Sequence, residues 1–588
     1  LSMSISANWE ILKGLKLKGQ AAYNHWTPGH TEISKTIEMT NEDGSQSLIN
    51  NPNGVSRQFV TKNLIVLQGL LDYERQFGAH NIHGLLGYSD EHYKSSWVGG
   101  WRWYIPDNSM EEIDGATGSG DAQGTWGSSD EWRMRSYFGR VNYAFAGKYF
   151  VEGNFRYDGS SRLAPGHHYT FFPSGSLGWR ISEEPFMNFS RKYLDNLKLR
   201  VSYGQLGNQS ISLYQYAEVI TTDPKGYMFG HQWVPSSYIG KLPNTEIGWE
   251  ISNIFNIGFD LGLFNNRLTL TADYYRKNTR DLLLAMPVSF NTGYDTAVKN
   301  VGSLRNEGFE FALGAVPFAG KFGWDMNFTL GYNKNEITDL AGSQENLSGA
   351  SILGVTYWTK INEGKPIGTI YGYKTDGIAQ LSEDLSKIPY FSGKTLKHGD
   401  RKYVNKNGDN VINEDDLYEL GNANPDFTFG FNNTFTYNLR DHSSIGLTVY
   451  LQGAVGNEIV NFNKFSLESF DGHKNNSVAA LERWTPENPT NKYPRATTKS
   501  SGTILSDHYV EDGSYLRIKD ITLSYTFPKS ILQKFYCEGL TIFAGLKNIY
   551  TFTNYSGYDP EVSRFSNDNL SMGADYGSYP MSKSYEFG

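Results

Sequence analysis

Residues 254–277, IFNIGFDLGLFNNRLTLTADYYRK, hold two runs in which apolar and polar side chains take turns, split by Asn265-Asn266. Phe255, Ile257, Phe259, Leu261 and Leu263 alternate with Asn256, Gly258, Asp260 and Gly262. A strand sends successive side chains to opposite faces, so each run has one apolar face and one polar face. Asn tolerates positive φ, which makes Asn265-Asn266 a tight hairpin turn. The rhythm returns at Trp324–Asn333 and at Tyr149–Asp158. A soluble sandwich would bury the apolar face, whereas a membrane β-barrel would turn it to lipid and keep the polar face in its lumen.

Strand and connection lengths separate these two outcomes. Ile254–Phe264 and Arg267–Lys277 each run about ten residues, enough to cross a bilayer when tilted. Sandwich strands are typically half that length. Ala146-Gly147-Lys148, Phe318–Phe322 and Leu439–Ser443 read as short turns, and Phe527–Gly539 as a slightly longer link. Ser95–Asp130, Leu206–Asn244, Thr279–Asn300, Asp339–Gly364 and Asn457–Val510 read as long, irregular loops. Short and long connections mostly take turns, as in a bacterial outer-membrane barrel. Roughly 17 or 18 strands are expected. Aromatic residues near strand ends, such as Tyr274, Tyr275, Tyr550 and Phe552, fit interfacial girdles or ordinary cross-strand packing.

Composition agrees with an all-β chain. The 588 residues include 39 Tyr, 34 Phe and 62 Gly, with no linker to divide them. No run of about 18 apolar residues is present, so no transmembrane helix is expected, while a barrel would produce no such run. The net charge of −9 argues against nucleic acid as a partner. The single cysteine, Cys537, rules out an intrachain disulfide and suits an exported protein. Because the pattern is already under way at Leu1 and still running at Gly588, the chain reads as part of a longer exported protein.

One local motif has metal-ligand spacing. Asn405–Asp416 (NKNGDNVINEDD) fits the twelve-residue calcium loop, with Asn405, Asn407, Asp409, Asn413 and Asp416 supplying side-chain oxygens and Val411 a backbone carbonyl. Ile412 takes the usual apolar position, Asn410 stands where Gly is usual, and Asp416 where a longer Glu is usual. The expectation is a structural Ca²⁺, against the alternative of an ion-free polar turn. Trp97, Trp101, Trp103, Tyr104 and Trp126 fall in the expected loop Ser95–Asp130, where they could stack on sugar rings, meet a partner, or pack on one another. No catalytic residue is singled out. His80, His83, His167 and His168 lack a third ligand at metal-like spacing, and Glu183-Glu184 reads as solvated charge.

Several segments together resemble one family. They are Tyr137–Met187, Pro243–Ser252 (PNTEIGWEIS), Asn300–Phe311 (NVGSLRNEGFEF), Glu363–Gln380 (EGKPIGTIYGYKTDGIAQ), Gly399–Tyr437, Glu482–Pro494 (ERWTPENPTNKYP), Tyr509–Pro528 (YVEDGSYLRIKDITLSYTFP) and Asn548–Val562 (NIYTFTNYSGYDPEV). This resembles the SusC/RagA family of TonB-dependent outer-membrane transporters of Bacteroidetes. The resemblance implies a large antiparallel barrel of about 22 strands, to which residues 1–588 would contribute the greater part. The plug domain, the TonB contact and the first strands would lie outside this chain. It further implies a SusD/RagB-like lipoprotein lid, a dimer of SusC–SusD pairs, energy from TonB-ExbB-ExbD, and import of oligosaccharides or oligopeptides. A passive porin and a β-rich surface glycan-binding protein are the alternatives.

Overall fold

The computed structural model describes residues 1–588 except 42, 295, 341–348, 357, 473–474, 499–503 and 566–567, with Phe290 described by its backbone alone. Three expected loops, Thr279–Asn300, Asp339–Gly364 and Asn457–Val510, therefore lie partly outside the described residues. Eighteen strands belong to one large sheet. They are β1 (Ser2–Leu12), β2 (Leu15–Trp26), β3 (Gly29–Ser34), β4 (Gly54–Phe77), β5 (His80–Trp103), β6 (Gln123–Phe145), β7 (Tyr149–Ser160), β8 (Tyr169–Arg180) and β9 (Leu194–Asn208). The rest are β10 (Glu250–Leu263), β11 (Leu268–Arg280), β12 (Ser303–Phe318), β13 (Phe322–Asp339), β14 (Phe427–Asn438), β15 (Ser444–Val455), β16 (Tyr515–Thr526), β17 (Thr541–Thr553) and β18 (Ser584–Phe587). Both β2 and β3 pair with β4. They form one run interrupted at Thr27-Pro28, where proline offers no N–H to the ladder.

The chain divides into two units. The first comprises Leu1–Leu177, Tyr203–Ser252 and Asp281–Asn300. Its ladder runs antiparallel in chain order from β4 through β5 and β6 to β7 with unbroken register. The strands β4, β5 and β6 have 24, 24 and 23 residues, about twice what a bilayer crossing needs. One face is apolar and open to its surroundings: Leu86 is 57% exposed and Val141 58%. Aromatic pairs border this band. Tyr88 meets Tyr137 at 5.3 Å and Tyr157 meets Tyr169 at 5.1 Å on one side, while Phe145 stacks on Tyr149 at 6.3 Å on the other. Tyr137 to Phe145 spans about 26 Å of strand, close to the apolar band of a membrane barrel.

Beyond Tyr88 and Tyr137 the same face turns abruptly to charge. Arg135 bonds Asp90 at 3.1 Å, and His92 lies 2.8 Å from Glu131. The opposite face carries buried polar side chains, Ser89, Ser136 and Asp158, with Arg156 bonded to both of the last two. This distribution is the reverse of a soluble sandwich.

The second unit comprises Gly178–Ser202, Asn253–Arg280 and Val301–Gly588. Its ladder runs antiparallel from β11 to β17 in chain order, and β18 pairs with β17. Here too the apolar faces stay open, with Ile257 and Phe309 each 45% exposed and Leu523 53%. Trp324 is half-buried because its ring stacks between Phe318 and Phe435. Asn265 and Asn266 adopt φ of 62° and 56°, the left-handed turn expected of them. The turns at 146–148, 319–321 and 439–443 fall where the sequence placed them. Of the paired aromatics, Tyr274 packs on Phe309 and Tyr550 on Phe552, whereas Tyr275 lies on the polar face and donates to Asn333.

Tight apolar packing lies in the connections instead of beneath the sheet. In the first unit Leu163, Ala164 and Ile247 are fully buried with Phe172 and Trp249. In the second, Trp358, Ile370, Val460 and Phe462 centre a cluster drawn from three separate long connections. The loops are also less irregular than expected. Residues 209–249 contain the ribbon Ile220–Phe229 with Gln232–Ile239, and residues 281–302 contain Leu283–Pro287 with Thr296–Asn300.

An arginine at Leu86 or Val141 should cost about 2–4 kcal/mol if the open face meets hydrocarbon. The same change at Ser96, on that face but past the charged border, should cost little. Urea unfolding in lipid vesicles measures both, and equal costs would remove the assigned border.

Candidate functional site

The resembling segments converge into structural knots. In the first unit, Ala164 N–H donates to Ile247 O at 3.0 Å, and the Trp249 indole donates to His168 O at 2.8 Å. Asn300 grips Gly248 through both backbone groups, accepting from its N–H at 2.8 Å and donating to its carbonyl at 3.0 Å. In the second unit, the Trp484 indole donates to Gln380 Oε1 at 3.0 Å, and Asn491 Oδ1 accepts from Ile378 N–H and Gln380 Nε2 at 3.2 Å each.

The firmest knot is ionic. Arg517, on β16 and 2% exposed, donates to Asp559 at 2.5 Å, Glu561 at 2.7 Å and Thr551 at 2.9 Å. The planar guanidinium fork presents donors in fixed directions to three acceptors spread around it, where an ammonium is a compact point charge. It ties the segment after β17 to β16. Nearby, Tyr555 donates to Asp575 at 2.6 Å, and Glu511 accepts from both the N–H and the hydroxyl of Ser556.

The polar face of the second unit carries a cavity of about 520 Å³ lined by Thr271, Asp273, Glu310, Thr329, Tyr450 and Gln452, among others. Among the described residues no lysine, arginine or histidine lines it. Arg200, on β9, forks between Asp260 and Asp273 at 2.9–3.0 Å, so one of the two carboxylates beside the cavity is already partnered. Hydroxyls, amides and a carboxylate remain to meet a neutral or cationic ligand.

The calcium-type loop has the expected backbone. Asn410 has φ 63° and Ile412 is 1% exposed. Asn405 Oδ1 accepts from Gly408 N–H at 2.7 Å, Asn407 Oδ1 from Asp409 N–H at 3.1 Å, and Asp409 Oδ1 from Val411 N–H at 2.9 Å. Asn413 accepts from Asp415 N–H, and fully buried Asp416 accepts from Lys406 and Asn413 N–H at 2.7 and 2.9 Å. The donor set is hard oxygen, which suits calcium. The same oxygens also satisfy the loop's own N–H groups, so the turn closes by itself.

The tryptophans need correction. Ser95–Asp130 is not a loop: β5 runs to Trp103, β6 starts at Gln123, and only residues 104–122 connect them. Trp97, Trp101, Trp103 and Trp126 are strand residues, all on the polar face of the first unit; Tyr104 follows β5 with φ 64°. Three of the four histidines have side-chain partners: His80 bonds Tyr143 at 2.8 Å, His83 lies 3.4 Å from Asp72, and His167 lies 3.2 Å from Glu246, while His168 Nε2 is buried without one. Glu184 is not solvated charge but buried, accepting from the Trp179 indole at 3.1 Å. Among the described residues no group of three or more His, Cys, Asp or Glu could hold a metal.

Residues 2–411 match the family model described as TonB dependent receptor-like, beta-barrel. The chain belongs to this family. It is 32% identical over 533 residues to TonB-dependent receptor P3 of Formosa agariphila, covering 89% of this chain and 51% of that protein. TonB-dependent receptor SusC of Bacteroides thetaiotaomicron is 27% identical, over 88% of this chain and 49% of that protein. The chain thus spans about half the length of the curated relatives it matches. A structure of the RagAB peptide transporter superposes with TM-score 0.81 at 21% identity, covering 99% of this chain and 60% of that one. The fold is therefore a multi-pass outer-membrane β-barrel of the SusC/RagA kind, and a soluble sandwich is set aside.

Replacing Arg517 with Met should cost about 3–5 kcal/mol by stranding buried Asp559 without its partner, and Arg517→Lys should recover only part of it, both read by urea unfolding. Burial pushes the His508 imidazole below its ordinary value, with Arg401 and Lys464 acting the same way and Glu468, 3.1 Å away, opposing them. A base so lowered binds its proton more readily unfolded, so its stabilisation is full above about pH 6.5 and is lost as pH falls from there through the lowered folded value. Protease cleavage in residues 456–514 should accelerate between pH 7.5 and 5.5, and His508→Gln should flatten that dependence.

Proposed function

We propose that the complete protein actively imports a bulky nutrient across the outer membrane, an oligosaccharide in the first place and an oligopeptide in the second. The observation that carries this is the inversion of the sheet, apolar face outward and polar face inward, in a chain of the TonB-dependent receptor family. The relatives named TonB-dependent receptor and SusC support the energy source, and the RagAB peptide transporter supports a bulky cargo. By this reading a plug outside this chain fills the lumen, TonB-ExbB-ExbD moves it, and a SusD/RagB-like lipoprotein closes over the long connections. Two such pairs associate as a dimer. The protein performs no catalytic step.

Uptake of a labelled neutral hexasaccharide by cells carrying the intact gene should collapse when a protonophore dissipates the inner-membrane gradient. Uptake that persists would make the protein a passive pore. A lipoprotein should co-purify in detergent.

The Asn405–Asp416 loop takes a structural Ca²⁺ in this reading, supported by its oxygen spacing and the left-handed Asn410. A loop outside the membrane meets millimolar Ca²⁺, so weak affinity suffices. Chelation should speed proteolysis within residues 405–416, and added Ca²⁺ should reverse it in the native protein but not in Asp409→Asn. Asp416→Asn is unsuitable, because Asp416 closes the turn with or without an ion. Equal protease resistance in all conditions would leave the turn ion-free.

A further inference from the structure

Six aromatic residues occupy one face of the long strands β5 and β6. On β5 they are Tyr93, Trp97, Trp101 and Trp103; on β6, Trp126 and Trp132. The β5–β6 register is unbroken, pairing Tyr93 with Trp132, Trp97 with Ser128, Gly99 with Trp126 and Trp101 with Gly124. Because side chains alternate strictly along such a ladder, all six share the face of buried Ser89 and Ser136. They stand opposite Leu86, Val98 and Val141, so this row belongs to the polar interior side. Tyr93 lies beyond the Tyr88–Tyr137 border, and the row from Tyr93 to Trp103 extends for about 33 Å past it.

Three of the rings are seated over glycines, with Trp101 and Trp103 tilted 47° to one another. A Cβ on Gly54 would fall 1.9 Å from the Trp103 ring, and one on Gly99 would fall 2.5 Å from Trp126. The rings of Trp103, Trp126 and Trp101 thus cover Gly54, Gly99 and Gly124 on the neighbouring strands, while Trp132 carries the Arg162 guanidinium 5.0 Å above its ring. Tyr93 stacks on Trp132 at 5.6 Å, and Trp101 lies 5.3 Å from Trp103. Aromatic rings also cover glycines elsewhere in the sheet, as Phe155 covers Gly139, so seating by itself does not indicate a ligand.

The indole nitrogens make the distinction. Trp179, Trp249, Trp324, Trp358 and Trp484 each donate to a protein acceptor. Among the described residues Trp97, Trp101, Trp103, Trp126 and Trp132 donate to none, as do the exposed Trp9, Trp26 and Trp233, and the nitrogens of Trp97, Trp101, Trp103 and Trp132 are not sealed from solvent. A buried structural tryptophan normally satisfies its N–H. These five keep theirs for water or a bound molecule. Ser56, Gln58, Ser95 and Ser128 share the face beside them and add small neutral hydrogen-bonding groups, and Lys62, Glu91 and Asp130 set charges of both signs on the same face at its membrane end.

We propose that this row is a stacking track for consecutive sugar rings of an extended, uncharged glycan, reached before the membrane-spanning part of the barrel. The proposal rests on the import reading above and narrows its substrate class. A pyranose offers one apolar C–H face and a rim of hydroxyls, which matches flat rings flanked by free indole N–H groups and serine hydroxyls. The Trp101–Trp103 spacing suits adjacent rings of such a chain. A peptide would instead need pockets for alternate side chains or a free strand edge, and β5 is paired on both sides.

The test uses the full protein purified in detergent, with cellohexaose, maltohexaose and mannohexaose as probes and a neutral hexapeptide for comparison. Binding is followed by tryptophan fluorescence and calorimetry. At least one hexasaccharide should bind. Trp101→Ala with Trp103→Ala should weaken it roughly tenfold, and Trp101→Phe should retain most of the affinity. Trp233→Ala, on the separate ribbon, should bind like the native protein. Should the double variant fail the heat-dependent gel-mobility check for folding, Trp101→Leu replaces it, keeping apolar volume without a ring face. Hexasaccharide binding that is equal in native and variant proteins overturns the track and leaves glycan import standing. Hexapeptide binding alone overturns both, and peptide binding lost with the tryptophans assigns the row to peptide. If no hexasaccharide binds, the glycan track is refuted.

Discussion

The absence of water in the hydrocarbon layer is the constraint on which the rest depends. Each backbone N–H and C=O at membrane depth must find its partner within the sheet, so unbroken antiparallel ladders such as β4 to β7 are required. With lipid on one side, burial of apolar side chains under the sheet no longer drives folding. Leu86, Val141 and Ile257 stay open, while Ser136 and Asp158 are enclosed. The abrupt change from Tyr88 and Tyr137 to Asp90 and Arg135 follows from the same cause, because charge is tolerated only where the hydrocarbon ends.

Packing of the soluble kind moves to the connections. There Trp358, Phe462 and Ile370 build a small core from segments far apart in the chain. The segments that most resemble the family prove to be those where polar groups must be matched out of water. Asn300 satisfies both backbone groups of Gly248, and Arg517 neutralises Asp559 and Glu561. Removing either buried partner would strand the other's charge out of water, so Arg517 and Asp559 hold this connection together as a pair.

Strand length separates two tasks. The part of β5 between His80 and Tyr88 meets the bilayer, and the part from Tyr93 onward carries an aromatic row on the interior side. On the polar face of the second unit, the cavity beside Asp273 and Glu310 lacks basic residues among those described.

The sequence by itself determined the alternation, the hairpin turns and the sorting of short from long connections. These are local: a period of two, a pair of asparagines at 265 and 266, and Asn410 in a left-handed turn all depend on neighbours in the chain. It could not show that Trp97 to Trp126 lie on strands. Past the membrane border, β5 and β6 have charge on one face and aromatic rings over glycines on the other, so the apolar–polar period vanishes although the ladder continues. Nor could it pair Glu184 with Trp179 or Arg517 with Asp559. Those matches, and the choice of which face each tryptophan takes, were decided only by the tertiary structure. Register between strands carries the alternation across a stretch where side-chain chemistry no longer records it.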